Sequence, residues 1–369
     1  MKIVVFGLTI SSSWGNGHAT LWRGLCRALA RQGHRVVFFE KDVPYYAMNR
    51  DLFELPGGDL VLYDEWTSVQ SRAKAEIADA NAAMVTSYCP DGLAATELLL
   101  DEARGLRIFY DLDTPVTLSR LQAKEAVPYI GPRGLKDFDL VLSYTGGGAL
   151  DRLQTDLGAQ RVAPLYGHVD PDVHRPVQAQ EHYASDLSYL GTYAEDRQAA
   201  LERLFIEPAT LRPSLRFLIG GAQYPQDFPW QPNIYFVKHL PPSEHPAFFS
   251  SSRLTLNITR QAMAEMGWCP SGRLFEASAC GVPLLSDDWE GLDSFFEPGE
   301  EILIARTTEE AVDALDLTRA ELQRIAKASR ERTLAEHTSA CRAKELEMLL
   351  ESASSPASPD GSSAAMMEA

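Results

Sequence analysis

Two periodicities alternate along the first half of the chain. Lys2–Phe6 is a β-branched, apolar run without polar alternation, which predicts a strand buried on both faces. A polar, Ser/Gly-rich loop follows at Thr9–Gly17. His18–Gln32 then carries Leu21, Leu25 and Leu29 on one helical stripe, and Gly33 supplies the stop. Further strands are predicted at Val36–Phe39, Leu60–Tyr63, Ala83–Ser87, Arg107–Tyr110, Leu140–Ser143 and Arg161–Pro164. Helices at Val69–Ala80, Leu93–Ala103 and Ala149–Leu157 separate several of them. Strands alternating with helices imply a parallel sheet covered on both faces.

The pattern then breaks. Tyr166–Pro176 is turn-rich with two prolines, and Val177–Ala184 is polar, which marks a domain junction. The alternation restarts with strands at Leu187–Leu190, Arg216–Ile219, Ile234–Val237, Leu254–Ile258, Pro283–Ser286 and Glu301–Ala305. Helices are expected at Asp196–Phe205, Gly272–Cys280, Thr308–Leu315 and Arg319–Leu350. The divisions are therefore a first domain at 1–168, a second at 169–335, a terminal helix at 336–351 and a disordered tail at 352–369. Tandem units of this kind place a ligand crevice between the carboxyl ends of two sheets.

Composition narrows the class. The chain has 369 residues and a net charge of −17. That excess argues against a protein with a broad nucleic-acid surface. Eleven carboxylates face only Arg306 between Asp287 and Leu317, which reads as a solvated surface. Five cysteines form no Cys-x-x-Cys and fit no zinc spacing, so a reducing, cytoplasmic setting is expected. Cys26 and Cys280 fall in apolar helical patterns and read as buried small hydrophobes. No apolar stretch is long enough for a membrane span.

Three segments carry candidate chemistry. In Ser11–His18, Gly15 and Gly17 let a ligand approach backbone at a helix start, and His18 is a candidate base. The alternative for His18 is a cap or a hydrogen bond within the loop. The spacing is not the dinucleotide fingerprint, although Glu40 after the second strand resembles a ribose-binding acid in position. In Tyr110–Val116, Asp111 and Asp113 stand at a strand's carboxyl end, while Thr114 with Pro115 reads as a helix cap. The third segment holds Arg260, Ser271, Gly272, Arg273 and Glu276. Ser271 and Gly272 turn a helix N-terminus toward an anion, and the two arginines suit a diphosphate. Glu276 shares a helix face with Arg273, able to accept hydrogen bonds from ribose hydroxyls. The competing reading is an Arg273–Glu276 surface pair.

Phe275–Leu285 resembles the helix–strand signature of GT-B glycosyltransferases, and the variant is similar to the CgeB-like (spore maturation protein CgeB) group. Trp14–His18, Tyr110–Pro115, Leu190–Arg197, Pro270–Glu276 and Trp289–Asp293 support the resemblance, which spans nearly all of 1–335. It implies an α/β fold of two Rossmann-like doubly wound domains facing a central crevice. The first would take an acceptor of unidentified nature, the second a nucleoside-diphosphate sugar. No metal or other cofactor is implied. Glu276 matches the family's ribose glutamate; Arg197, Arg260 and Arg273 match basic positions near phosphates; Tyr193 lies in the matching segment beside Arg197. Gly15 and Gly17 match the glycines that let substrate approach the first domain. His18 and Asp113 are the catalytic candidates from the residues themselves, Asp113 being equally readable as part of the helix cap. The terminal helix is implied to cross back onto the first domain.

One position departs from the pattern. The large retaining families carry a glutamate eight residues before the one matching Glu276, and here that position is Trp268. Sugar recognition by that carboxylate is absent or replaced, for instance by backbone N–H groups of Cys269–Gly272. The stereochemical outcome stays open: a His18 base makes inversion simpler, and assistance by the donor's own phosphate permits retention. The competing functions are an NAD(P)-dependent oxidoreductase using the first Rossmann unit and a non-catalytic sugar-nucleotide-binding protein.

Overall fold

The computed structural model describes residues 1–355. The first sheet contains β1 (Lys2–Gly7), β2 (Arg35–Lys41), β3 (Gly58–Tyr63), β4 (Ala82–Thr86), β5 (Leu106–Asp111), β6 (Leu140–Ser143) and β7 (Val162–Pro164). All are parallel, in the order β3-β2-β1-β4-β5-β6-β7. The continuous apolar run of β1 serves two cores, because successive side chains point to opposite faces. Ile3 and Val5 join Leu21, Leu25 and Leu29 of helix Gly17–Arg31 on one face. Val4 and Phe6 join Val69, Ala73 and Ile77 of helix Trp66–Ala78 on the other.

The second sheet repeats the plan. It holds β8 (Leu187–Leu190), β9 (Phe217–Gly221), β10 (Ile234–Lys238), β11 (Thr255–Asn257), β12 (Leu284–Ser286) and β13 (Leu303–Ile304). The order is β10-β9-β8-β11-β12-β13, again all parallel. Strand order reverses between β1 and β4 in the first sheet and between β8 and β11 in the second. Those switch points open a crevice at the strands' carboxyl ends.

Four details differ from the sequence expectations. The helix expected at Asp196–Phe205 runs on to Leu211 through a π-turn at Glu202–Ile206. Pro208 lacks the N–H for the next α-helical bond, and the wider turn accommodates that. The helix expected over Arg319–Leu350 is two helices, Arg319–Glu336 and Ser339–Ser354. It breaks because His337 and Ser339 turn their backbone to Val169: Val169 N–H donates to His337 O at 3.0 Å, and Ser339 N–H donates to Val169 O at 2.8 Å. The final helix also extends to Ser354, past the expected start of the disordered tail at 352; residues 356–369 lie outside the described residues. Thr114 is not a cap. It is the first helical residue after Asp113, and its hydroxyl pairs with Ser143 Oγ at 2.7 Å.

The last helix returns to the first domain. Ala343, Leu346 and Leu350 pack in the same cluster as Ile3, Val5 and Leu25. No described helix is long and apolar enough to cross a membrane. Cys26 and Cys280 are buried among apolar neighbours, and all five cysteines are free thiols.

Candidate functional site

The first domain's side of the crevice is built on Glu40. Its carboxylate ends β2 fully buried and receives Thr9 Oγ1 (2.7 Å), Ile10 N–H (2.8 Å), Ser11 N–H (2.9 Å) and Ser11 Oγ (2.5 Å). These bonds fix the loop between β1 and the first helix. They also exhaust the carboxylate, so Glu40 is not a ribose ligand and the positional resemblance to a dinucleotide site fails. Asn16 caps the helix by accepting His18 N–H at 3.1 Å. Gly15 sits in the left-handed region at φ +59°, where an L side chain is strained, and a Cβ there would meet Tyr45 Oη at 3.1 Å. A Cβ on Gly17 would meet nothing within 4 Å.

With Asn16 as the cap, the His18 imidazole is released from that role. Its Nε2 lies 3.5 Å from Asp113 Oδ2, both side chains about one-fifth exposed. The fold thus joins two residues 95 positions apart, through the helix after β1 and the turn after β5. Asp111 lies beneath them, fully buried. It accepts Asp113 N–H at 3.1 Å, and burial pushes it up to about 6. Tyr88 completes this wall at φ +62°, its ring 6.1 Å from that of His18.

The second domain's side carries concentrated positive charge. Arg197 follows β8 and Arg260 follows β11, so the two flank the switch point, and Arg273 opens helix Gly272–Ala279. Burial, then the Arg273 and Arg260 charges, pull the Arg197 guanidinium below its ordinary range. Arg260 is held by Asp196 at 3.0 Å. The Nε atoms of Arg197 and Arg273 are buried with no hydrogen-bond partner among the described residues. Clustered guanidiniums with unused donors are poised for an anion. Ser271 caps the helix by accepting Arg273 N–H at 3.4 Å. That leaves Gly272 N–H at the helix end. Asp287 fixes the Arg260 turn by accepting Thr259 N–H and Oγ1, each at 3.0 Å, and burial pushes it up to about 6.

Glu276 is not the surface partner of Arg273. Its side chain is 14% exposed and faces two imidazoles, His174 Nε2 at 4.0 Å and His245 Nδ1 at 3.7 Å. Burial by itself would raise its pKa, but His174, His245 and Arg273 outweigh that and hold it down to about 2. The sequence reading did not include these histidines. His174 lies in the junction and His245 opens a helix in a Pro-rich turn, about 70 residues apart. Their ring atoms and the Glu276 carboxylate lie within 4.8 Å of one another, close enough to hold a metal ion. Tyr193 packs against Tyr224 and Phe228 in an aromatic wall beside Arg197.

Trp268 links the two sides. It adopts φ +50°, and its carbonyl accepts Gly146 N–H of the first domain at 3.0 Å. Its ring lies between Gly147 and Gly291, where an added Cβ would come within 2.4 Å of it in either case. The residue at the departing position therefore packs in the domain interface. Thr145 Oγ1 to Cys269 Sγ (3.2 Å) and the Trp14–His239 ring contact (3.7 Å) also cross the crevice.

Two facing Rossmann-like domains with a terminal helix returned to the first constitute a GT-B fold. Residues 197–348 match the family model described as Glycosyl transferase-like. Among solved structures, the chain is similar to a sucrose-phosphate synthase from Thermosynechococcus elongatus at 14% identity and TM-score 0.68, covering 95% of this chain and 98% of that one. It is similar to HepE from Anabaena, solved with UDP and glucose, at 12% identity and TM-score 0.66, covering 95% and 100%. An alpha-glucosyltransferase solved with UDP-glucose and DNA containing an abasic site matches at 12% identity and TM-score 0.67, covering 95% and 99%. No curated protein matches the chain in sequence.

Proposed function

We propose that this chain is a CgeB-like glycosyltransferase that moves a sugar from a nucleoside-diphosphate sugar to a hydroxyl-bearing acceptor. The observation that carries the reading is the cluster of Arg197, Arg260 and Arg273 at the second switch point, with two buried donors unused. A departing diphosphate supplies the charge this cluster lacks. Fixed guanidiniums and a helix end stabilise that charge without reorganising during the reaction, so the chemistry needs no metal. Glu276 takes the ribose hydroxyls as a carboxylate. The similar structures solved with UDP or UDP-glucose favour a uridine donor.

On the opposite wall, the acceptor hydroxyl lies against His18, which takes its proton as the bond to the sugar carbon forms. Asp113 stabilises the resulting imidazolium. The acceptor is a polysaccharide, a protein, a small metabolite or a modified nucleobase, and the net charge of −17 disfavours a long polyanion. The chain works in the cytoplasm, in keeping with its free thiols.

Calorimetric titration with UDP, UDP-glucose and NAD⁺, paired with detection of released UDP, tests the reading. Saturable UDP binding with slow UDP-glucose hydrolysis is expected. Binding of NAD⁺ alone overturns it, and UDP-sugar binding without hydrolysis or transfer to any acceptor reduces it to a binding protein.

A further inference from the structure

Two imidazoles around Glu276 are more than a buried carboxylate needs. His174 is 1% exposed, yet neither ring nitrogen has a hydrogen-bond partner among the described residues. His245 Nδ1 is likewise buried and unpartnered. A buried imidazole without a partner loses its hydration for no return. The 3.7 and 4.0 Å separations are also too long for the histidines to donate directly to Glu276. The three groups come from separate elements: the domain junction, helix His245–Ser250 and helix Gly272–Ala279.

We infer that His174, His245 and Glu276 form a binding site for a divalent transition-metal ion of the Zn²⁺ type. Two imidazoles and one carboxylate, with an open fourth position, are a donor set that Zn²⁺ accepts. Ligands about 2.0–2.1 Å from a tetrahedral ion stand about 3.4 Å apart. The observed donors, 3.7 and 4.0 Å from Glu276 and within 4.8 Å of one another, close by about 0.3 to 1.4 Å around it. The set excludes a hard ion: Mg²⁺ demands oxygen donors in an octahedron, and two of three donors here are nitrogen. Arg273 on the same helix opposes any cation here, so the ion must be held by coordination bonds rather than by net charge.

Occupancy has a consequence. The ion claims the carboxylate proposed for the ribose, so ion and nucleotide exclude one another, and Zn²⁺ acts as a brake. This consequence rests on the donor-site reading, whereas the site itself does not.

The full chain, stripped with chelator, is titrated with Zn²⁺ alone by calorimetry and with Co²⁺ by absorption. One ion per chain and visible Co²⁺ bands of a tetrahedral nitrogen–oxygen site are expected. His245→Ala, at a partly exposed ring, should weaken Zn²⁺ by at least about tenfold. His174→Ala should do the same, with unchanged far-UV dichroism showing that it folds. The inference is overturned if Zn²⁺ does not bind, if it binds both variants as tightly as the wild type, or if Mg²⁺ binds as well as Zn²⁺. A separate UDP titration without metal decides the donor site, so failure of one leaves the other standing. Where both bind, failure of saturating UDP to weaken Zn²⁺ overturns the brake.

Discussion

The two sides of the crevice share a scaffold and differ in how much of their chemistry is already satisfied. In the first domain, Glu40 receives four hydrogen bonds from the loop above it, and the helix start is capped by Asn16. That mouth is a loop frame fixed from below and presenting one pair, His18 and Asp113, with His18 Nδ1 and Asp111 Oδ2 its buried atoms lacking a partner among the described residues. In the second domain, Arg197, Arg273, His174 and His245 all keep buried polar atoms without partners among the described residues. The same strand–loop–helix unit serves as a rigid mount on one side and an unfilled receptor on the other. Unmet donors cost stability, so a fold retains them where a ligand repays the cost.

The largest test of this contrast is Glu40→Ala. Four donors lose their acceptor, and a loss of about 4–5 kcal/mol in unfolding free energy is expected by urea titration. UDP affinity of the folded fraction should not change; a loss there would move Glu40 into the ligand site. His18→Ala addresses the one reactive feature of the framed side. Transfer should fall about 10³-fold with UDP affinity retained. Near-normal turnover would reduce His18 to structure.

Arg273→Ala probes the open side. UDP affinity should fall about 100-fold, equivalent to about 3 kcal/mol, while melting temperature holds or rises as like charges separate. A variant that binds UDP normally removes the anion site. The smallest expected effect lies where the sides join. Burial pushes His168 and His337 down to about 3, with Arg342 adding to it for both and Arg332 for His337. Below the ordinary value of 6.5 the unfolded chain takes up protons that the folded chain refuses, so their stabilisation is lost with acid until about pH 3. Burial raises Asp111 and Asp287 instead, which acts in the opposite sense. Comparison with His337→Gln isolates one group: wild type should lose about 2 kcal/mol more than the variant between pH 7 and 5. Equal losses would mean that His337 is protonated in the folded chain.

Much of the architecture was legible because burial on both faces forces continuous apolar strands. Val36–Phe39 and Leu140–Ser143 could be read as such without any partner in view. Helix ends were less legible. Pro208 reads as a stop, yet a π-turn carries the helix past it, and the break at His337 depends on Val169, far away in sequence. Of the candidate site, Arg260, Arg273 and Glu276 were readable because they lie on one loop–helix segment. His174 and His245 were not, since each sits in a proline-rich turn with no local pattern marking it as a partner of Glu276.

By itself the sequence determined two tandem parallel-sheet units, the loops at their carboxyl ends and the residue types those loops carry. Periodicity and turn chemistry are local properties, and they suffice for that. Tertiary structure decided which carboxylates are spent and which are free. Glu40 and Glu276 both sit in loop-proximal positions of Rossmann-like units. One is saturated by its own loop, and the other faces unpartnered imidazoles. Hydrogen-bond saturation depends on groups brought together from distant segments, and only the folded chain sets those distances.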